Sequence, residues 1–310
     1  WVLRAFPNSG DEYNYIFQAE TFQVGRLWNP LPEAADLFSF KHTFMKDGKW
    51  VSQYAPGWAA LLAAGNIAAL PYWLVNPLLG LVLLVLTYRL AVQRAGEVAG
   101  ATAILLVGLT IFFLFNAASY FAHVSVAIFG LMFCAAAEIF RQTPGARAAL
   151  AMGAAVGLIA LSRPFDAVLF CVPYAVAILW RPRRAHFQLA PLAAIGALPF
   201  VVAALAYNAA VTGDPLLPVT NWGYPDLKLG LLHAVNESGL AMSLADRAQQ
   251  ALSRVYLLAE WTSPVFLILY GSSFAHLWRR RALAPADFVI VAFVVGYLAF
   301  PGYGGVQYGP

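Results

Sequence analysis

Apolar stretches, each approaching the length of a helix that crosses a bilayer, recur along most of this 310-residue chain. A spanning helix needs about 20 mainly apolar residues. Eight segments fit that description, at residues 73–90, 98–117, 119–140, 148–163, 165–180, 188–211, 254–278 and 285–301. The pattern predicts an all-α polytopic membrane protein with about eight transmembrane helices.

The composition excludes a soluble domain and argues against a nucleic-acid-binding protein. The chain is 61% hydrophobic and 11% charged, whereas soluble domains carry about 25% charged residues. Its mean hydropathy is +0.68. The formal net charge of +4 arises from 19 Lys and Arg against 15 Asp and Glu, which is too small an excess for the basic face that nucleic acid requires. Cys134 and Cys171 lie inside apolar runs and are predicted to be small core residues.

The arginines indicate how the helices are oriented in the membrane. Every second gap between the predicted helices is basic, and together these gaps hold Arg89, Arg94, Arg141, Arg147, Arg181, Arg183, Arg184, Arg279, Arg280 and Arg281. The alternate short gaps hold only Arg163. Basic loops stay in the cytoplasm, so residues 1–72 and about 212–253 are predicted to face outward. The chain is therefore expected in the inner (plasma) membrane, with its polar chemistry facing the periplasm or cell exterior.

One apolar segment, residues 57–72, does not fit a full crossing. It is short, contains Asn66, and is bracketed by Pro56 and Pro71. It is predicted to be a helix that lies in the membrane interface or dips partly into the membrane. Two regions follow: an extracytoplasmic first loop with membrane-surface helices at 1–72, and a transmembrane helical domain at 73–310. The chain is expected to be truncated at both ends.

Two adjacent acids open the first loop. Ser9 and Glu12 have the spacing of a capping box, and acids suit the start of a helix. Asp11 is not needed by that cap, and a carboxylate beside the membrane surface is a candidate general base. The helix is predicted to run to about Gly25. Its apolar side chains share one side and are Tyr13, Ile16, Phe17 and Val24.

A basic and aromatic stretch follows in the same loop. Its notable residues are Lys41, His42, Lys46, Asp47, Lys49, Tyr54 and Trp58. The first two are candidates to face a phosphate group. The next three are interpreted as a solvated turn that contacts lipid headgroups. The last two are either interface aromatics or a platform for a sugar ring.

The short outer turns each carry one unusual side chain. His123 ends the sequence Ser-Tyr-Phe-Ala-His, and Arg163 lies in Leu-Ser-Arg-Pro-Phe-Asp. A charge in so short a turn costs several kcal/mol unless it is paired. Arg163 either pairs with Asp166, extends to lipid headgroups, or faces an anionic lipid phosphate, for which its forked donors are suited. His123 is either a hydrogen-bonded core residue or a second ligand of that phosphate.

Sequence motifs for nucleotide or metal binding are absent. There is no Walker loop, Gly-rich dinucleotide turn, HExxH sequence or cysteine-based metal site. No metal ligand is therefore assigned. A divalent cation is left open, because Asp11, Glu12 and His42 could converge in space.

The order of these motifs is similar to that of a known family. The acidic pair, the segment Tyr54-Ala-Pro-Gly-Trp58, the Ser-Tyr-Phe-Ala-His turn and the Ser-Arg-Pro turn are all predicted to lie on the outer side. Together they resemble the GT-C membrane glycosyltransferases. The nearest branch is that of bacterial relatives of the dolichyl-phosphate-mannose protein mannosyltransferases and of the aminoarabinose transferase.

The resemblance implies a fold and a reaction. It implies a further span before Trp1 and, at Gln307-Tyr308, the start of a family motif. It also implies transfer of a sugar from a polyprenyl-phosphate carrier to a hydroxyl of a protein, glycan or lipid, with inversion. The first-loop acid would be the base, which is Asp11, with Glu12 as second candidate or helper. The phosphate would be held by Arg163, with weaker candidates in Lys41, His42 and His123.

The main competing hypothesis is a secondary transporter or flippase. Such a protein would show inverted repeats, broken helices and ionisable groups near mid-membrane. Here the predicted spans are almost uncharged at mid-depth, and the polar groups gather at one face. A lipid phosphatase is disfavoured because the expected cluster of arginines and paired histidines is missing.

Overall fold

The computed structural model describes residues 6–38, 40–224 and 264–299, and isolated positions between 243 and 260. The structure is mostly helical, at 76%. The motif predicted at Gln307-Tyr308 and most of the predicted outer loop after residue 224 lie outside the described residues.

The first loop folds into helices and a small antiparallel sheet. Its elements are α1 (Gly10–Gln23), β1 (Asn29–Pro30), α2 (Ala35–Phe38), β2 (Thr43–Lys46), β3 (Lys49–Ser52) and α3 (Pro56–Ile67). The strand order is β1-β3-β2, and Lys46 pairs with Lys49 across the β2–β3 turn. Asp47 and Gly48 form this turn and both have positive φ, as two-residue Asp-Gly hairpins require. The sheet was not predicted, although Asp-Gly is a hairpin signal.

The rest of the described chain is helical. Its elements are α4 (Tyr72–Ala95), α5 (Glu97–Gly108), α6 (Ile111–Ala118), α7 (His123–Gln142), α8 (Ala146–Ser162), α9 (Pro164–Trp180), α10 (Arg184–Thr212), α11 (Val219–Gly223), α12 (Pro264–Arg279) and α13 (Pro285–Ala299). Every predicted segment corresponds to one of these helices or to a pair of them. Part of the predicted segment 254–278 lies outside the described residues.

The prediction of about eight spans is not supported. Among the described residues, three helices are long and apolar enough to cross a membrane: α4, α7 and α10. A fourth span results if α5 and α6, bent by 67° at a short break, count as one. The helices α8, α9 and α13 are apolar but shorter. The count falls because α8, α9 and α13 are shorter than the other apolar helices and because a break separates α5 from α6.

Glycines allow α8 and α10 to pack closely. A Cβ atom at Gly153 would lie 1.8 Å from the carbonyl oxygen of Ala193, and one at Gly196 would lie 2.3 Å from that of Leu150. Gly157, one turn after Gly153, approaches α10 in the same way. Small residues four apart bring membrane helices into backbone contact. The close packing of α8 against α10 therefore fixes the position of the turn that follows α8.

The first loop packs directly against the end of α8. A Cβ atom at Gly57 would lie 2.5 Å from Ser162 Oγ and 2.8 Å from the backbone of Leu161. The helix α3 also packs against α1, and its Trp58, Ala59, Leu62 and Ala63 are buried. The segment predicted to lie at the interface is thus a separate 12-residue helix, and its glycine permits contact with the end of α8.

The helix α1 was predicted, but the side that it buries was not. Tyr13 and Val24, on the predicted apolar side, are 42% and 65% exposed. The buried residues include Glu12, Asn14, Gln18 and Thr21. Other segments satisfy part of their hydrogen-bonding capacity, although the side-chain oxygens of Asn14 and Gln18 have no partner among the described residues. For example, Gln18 donates to the carbonyl oxygen of Tyr54 at 3.0 Å and to the hydroxyl of Tyr207 at 2.9 Å.

Candidate functional site

A cavity of about 680 Å³ lies between the first loop and the helical domain. Its walls come from α1, the segment before α3, the α8–α9 turn, α10, the start of α11 and α13. The polar side chains that line it include Tyr15, Gln53, Tyr54, Arg163, Asp166, Tyr207, Asn208 and Tyr297. The volume falls within the range of small-molecule sites, and convergent polar groups are typical of them.

Asp11 does not line this cavity itself but is bound to a residue that does. Its Oδ1 accepts a hydrogen bond from the hydroxyl of Tyr54, which lines the cavity. His42 Nε2 lies 3.3 Å from the same oxygen. Within the described residues Oδ2 has no hydrogen-bond partner, and the side chain is 39% exposed. Asp11 therefore keeps one carboxylate oxygen free to accept a proton.

The partners of His42 indicate its tautomer. Its Nδ1 lies 3.0 Å from the amide nitrogen of Gln53, which donates. Nδ1 therefore accepts, and the ring proton is on Nε2, facing Asp11. His42 has a φ of 71°, a conformation uncommon for residues other than glycine. The turn before β2 thus holds an unusual backbone geometry that directs this imidazole at the carboxylate.

Tyr54 is held as a neutral donor. Its ring stacks on Tyr15, with centroids 4.5 Å apart. Burial raises the pKa of Tyr54 well above its usual value, and Tyr15 and Asp11 nearby raise it further. Burial likewise raises the pKa of Tyr15. The Tyr54 phenol consequently stays protonated and donates to Asp11 throughout the physiological pH range.

Arg163 lines the cavity from the opposite side, in the turn between α8 and α9. Its Nε donates to Asp166 Oδ2 at 2.7 Å, and its Nη2 donates to the hydroxyl of Tyr297 at 2.9 Å. Its Nη1 lies 3.1 Å from His123 Nε2. These partners use three of the five N–H donors of a guanidinium. Among the described residues, one donor on each terminal nitrogen is left for a ligand.

The guanidinium is fixed as a cation. Burial lowers the pKa of Arg163, but Tyr297 and Asp166 beside it raise the pKa by more, so the net shift is upward. Of the alternatives considered for Arg163, the pair with Asp166 is observed. Asp166 is 5% exposed and also accepts a hydrogen bond from the hydroxyl of Tyr297. The ion pair leaves part of the Arg163 side chain accessible, and this side chain is 27% exposed.

His123 contacts the guanidinium of Arg163 and orients it. Because a guanidinium only donates, His123 Nε2 is the acceptor in their contact. The ring proton then lies on Nδ1 and is donated to Asn116 Oδ1 at 2.7 Å. His123 is therefore a neutral imidazole in this arrangement. His123 therefore carries no charge, and its contact with Arg163 orients the guanidinium.

Glu12 is turned away from the cavity. Its Oε2 accepts from the Asn8 N–H at 2.9 Å and from the Ser9 hydroxyl at 3.2 Å, and its Oε1 accepts from the Tyr120 N–H at 3.0 Å. Glu12 is 1% exposed. Ser9 caps α1, as predicted. The carboxylate therefore anchors the start of α1 to the turn before α7.

Replacing Glu12 by glutamine is expected to destabilise the fold by roughly 2 kcal/mol. All three groups around the carboxylate are donors, and an amide would direct its own N–H groups at one of them. We expect the midpoint of thermal unfolding in detergent to fall by about 4 °C or more. The control is Glu20→Gln on the exposed side of the same helix. Equal midpoints for the two variants would contradict the anchoring role.

The three lysines singled out in the first loop have different surroundings in the structure. Lys41 is exposed and does not line the cavity. Lys46 donates to the carbonyl oxygen of Trp222, and Lys49 donates to those of Ala210 and Val211. These two lysines thus bind carbonyl oxygens at the ends of α11 and α10, where cations are favoured. These contacts account for the positions of Lys46 and Lys49 without the predicted contact with lipid headgroups.

Trp58 is neither an interface residue nor a sugar platform. It is 1% exposed, and its indole N–H donates to the carbonyl oxygen of Tyr120 at 2.7 Å. Both roles considered for it require exposure, so the interpretation is corrected to a core residue. Tyr54, from the same motif, does line the cavity.

Several lining residues were missed by the sequence analysis. Tyr15, Tyr207 and Tyr297 each lie in a helix, and each brings a hydroxyl to the cavity region. The only sequence signal for Tyr297 is a single polar group in the apolar run of α13. Tyr207 lies next to Asn208, which also lines the cavity.

The described residues contain no cluster of three or more His, Cys, Asp or Glu side chains that is arranged to hold a metal ion. Asp11 and His42 do meet. Glu12, the third residue considered, is bound elsewhere. A search of protein-family models, of curated proteins and of solved structures found no match to this chain.

Proposed function

We propose that this chain is a membrane glycosyltransferase that moves a sugar from a polyprenyl-phosphate carrier to an acceptor hydroxyl, with inversion. The observation that carries the proposal is a cavity lined by a guanidinium and by a tyrosine that donates to a neighbouring carboxylate. Asp11 reaches the cavity through Tyr54, and Arg163 lines it. A base for the acceptor and a cation for the leaving phosphate are the groups that this reaction requires.

The proposal includes an arrangement in the membrane. In this arrangement the crossings are α4, the bent pair of α5 and α6, α7 and α10, together with the shorter apolar helices α8, α9 and α13, and residues 1–72 form the outer loop. The cavity then opens toward the periplasm or cell exterior. The distribution of arginines between alternate gaps supports this orientation. A lipid-linked donor suits such a location, since nucleotide sugars are not available there.

The chemistry assigns each residue a step. The free Oδ2 of Asp11 removes the proton of the acceptor hydroxyl as its oxygen attacks the anomeric carbon. The bond from that carbon to the phosphate oxygen breaks on the opposite face, and its electron pair stays on the phosphate. The two remaining N–H donors of Arg163 stabilise the charge that develops there. The proton on Asp11 then passes to water, which restores the carboxylate.

Other groups position these two. Tyr54 and His42 hold Asp11, and His123 and Tyr297 hold Arg163. Tyr54, which stacks on the buried Tyr15, lines the cavity next to the carboxylate. A sugar ring packs well against an aromatic ring, which supports the sugar-platform interpretation of Tyr54.

The test is sugar transfer by the full chain in proteoliposomes. The donors are a panel of radiolabelled polyprenyl-phosphate sugars, the acceptor is a membrane extract, and nucleotide sugars serve as the control donors. We expect transfer from at least one lipid-linked donor and none from nucleotide sugars, and a parallel series with a chelator tests the dependence on divalent cations. Movement of a donor across the bilayer without transfer, by folded protein, would contradict the proposal and favour a transporter or flippase.

A further inference from the structure

A second groove, of about 730 Å³, lies between α9 and α13. Its walls are mainly apolar and include Val172, Val176, Phe288, Val291 and Val295. From Val172 to the end of α9 at Trp180, the wall is roughly 12 Å long at the rise of a helix. These dimensions and the lining are suited to a hydrocarbon chain.

Three arginines line one end of this groove. Arg141 comes from the end of α7, Arg181 follows α9, and Arg281 precedes α13. Arg141 pairs with Glu138 at 2.6 Å. Arg181 and Arg281 are exposed, and within the described part of the chain neither makes an ion pair with a carboxylate. The apolar groove therefore ends at two guanidinium groups for which the described residues supply no counter-ion.

The surroundings of these arginines match a membrane interface. Trp180, beside Arg181, lines the groove and is 81% exposed. Exposed tryptophans concentrate at the level of lipid headgroups. All three arginines lie in gaps that the sequence assigns to the cytoplasmic side, where anionic lipids are enriched and attract basic residues.

We propose that this groove binds an anionic phospholipid. Its phosphate lies between Arg181 and Arg281, whose forked donors suit a phosphate, and one acyl chain lies along α9 and α13. The site is distinct from the cavity that contains Arg163 and does not depend on the proposed transfer reaction. A bound lipid would hold α9 and α13 together, and α13 carries Tyr297, a partner of Arg163.

The test measures lipid binding to the detergent-purified and delipidated full chain by native mass spectrometry. The probes are phosphatidylglycerol and phosphatidylcholine with identical acyl chains. We expect phosphatidylglycerol to bind at least about tenfold more tightly. The variant Arg181→Gln/Arg281→Gln is expected to lose this preference, because two charges near the headgroup are removed. The control variant Arg89→Gln/Arg147→Gln removes two exposed arginines outside the groove and is expected to keep the preference.

A second variant tests the acyl-chain part of the site. Val176→Trp fills the groove and leaves its charges in place, so the number of bound phosphatidylglycerol molecules is expected to fall. Equal binding of the two lipids to the wild type would overturn the proposal, as would equal losses in the two double variants. Displacement of the lipid by inorganic phosphate alone, or unchanged binding to Val176→Trp, would also overturn it.

Discussion

Asp11→Asn is expected to reduce the rate of sugar transfer by about a hundredfold or more, the range for loss of a general base. An asparagine retains the shape of the side chain and accepts the hydrogen bond from Tyr54, but it does not take up the acceptor proton. Binding of the donor is expected to change little, because Asp11 is placed on the acceptor's side of the reaction. The measurement is single-turnover transfer in proteoliposomes, with donor binding measured separately.

The matched control is Asp47→Asn. This residue is exposed in the β2–β3 turn with a φ of 51°, a conformation in which aspartate and asparagine are both tolerated. Its transfer rate is expected to equal that of the wild type. If Asp11→Asn transfers at the wild-type rate while folded, Asp11 is not the base. The carboxylate that takes the proton would then have to be found elsewhere.

Hydropathy predicted the helices of this chain well but not the number of crossings. The predicted segments 148–163 and 165–180 agree with α8 and α9 to within two residues. The predicted segment 98–117 is instead two helices, because Thr110 caps a new one by accepting a hydrogen bond from the Phe113 N–H. A run of apolar residues indicates that a segment is buried in lipid or in the protein core. Whether the helix within that run breaks depends on local hydrogen bonds such as this one.

The candidate site was predictable only where a charged or motif residue marked it. Asp11, Tyr54 and Arg163 were singled out from the sequence; Tyr54 and Arg163 line one cavity, and Tyr54 donates to Asp11. Tyr207 and Tyr297 were not, since a tyrosine in an apolar run is equally typical of a membrane interface. Their roles depend on partners distant in sequence, such as Gln18 and Arg163.

The buried positions of Glu12 and Trp58 have a common cause. Both form hydrogen bonds to the backbone of Tyr120, at the turn before α7. A buried carboxylate and a buried indole are acceptable only because that turn supplies a donor and an acceptor. Sequence patterns indicate which residues are polar or aromatic, but not which distant backbone groups satisfy them.

Arg163→Gln is expected to lower the rate of transfer by roughly a hundredfold to a thousandfold, as for loss of a preorganised donor to a developing anion. The substitution also leaves the buried carboxylate of Asp166 without its cation, and breaking a buried pair costs about 3–5 kcal/mol. A loss of activity in the single variant therefore combines a catalytic effect with a folding effect. The two effects require separate variants.

The double variant Arg163→Gln/Asp166→Asn separates them because it removes both charges of the pair. We expect it to recover much of the thermal stability that Arg163→Gln loses, while its transfer rate stays at the level of the single variant. Asp166→Asn alone keeps the guanidinium and is expected to retain more activity than either. Transfer by the double variant at the wild-type rate would mean that Arg163 serves the fold alone. Recovered stability without recovered transfer would assign its remaining two donors to the leaving phosphate.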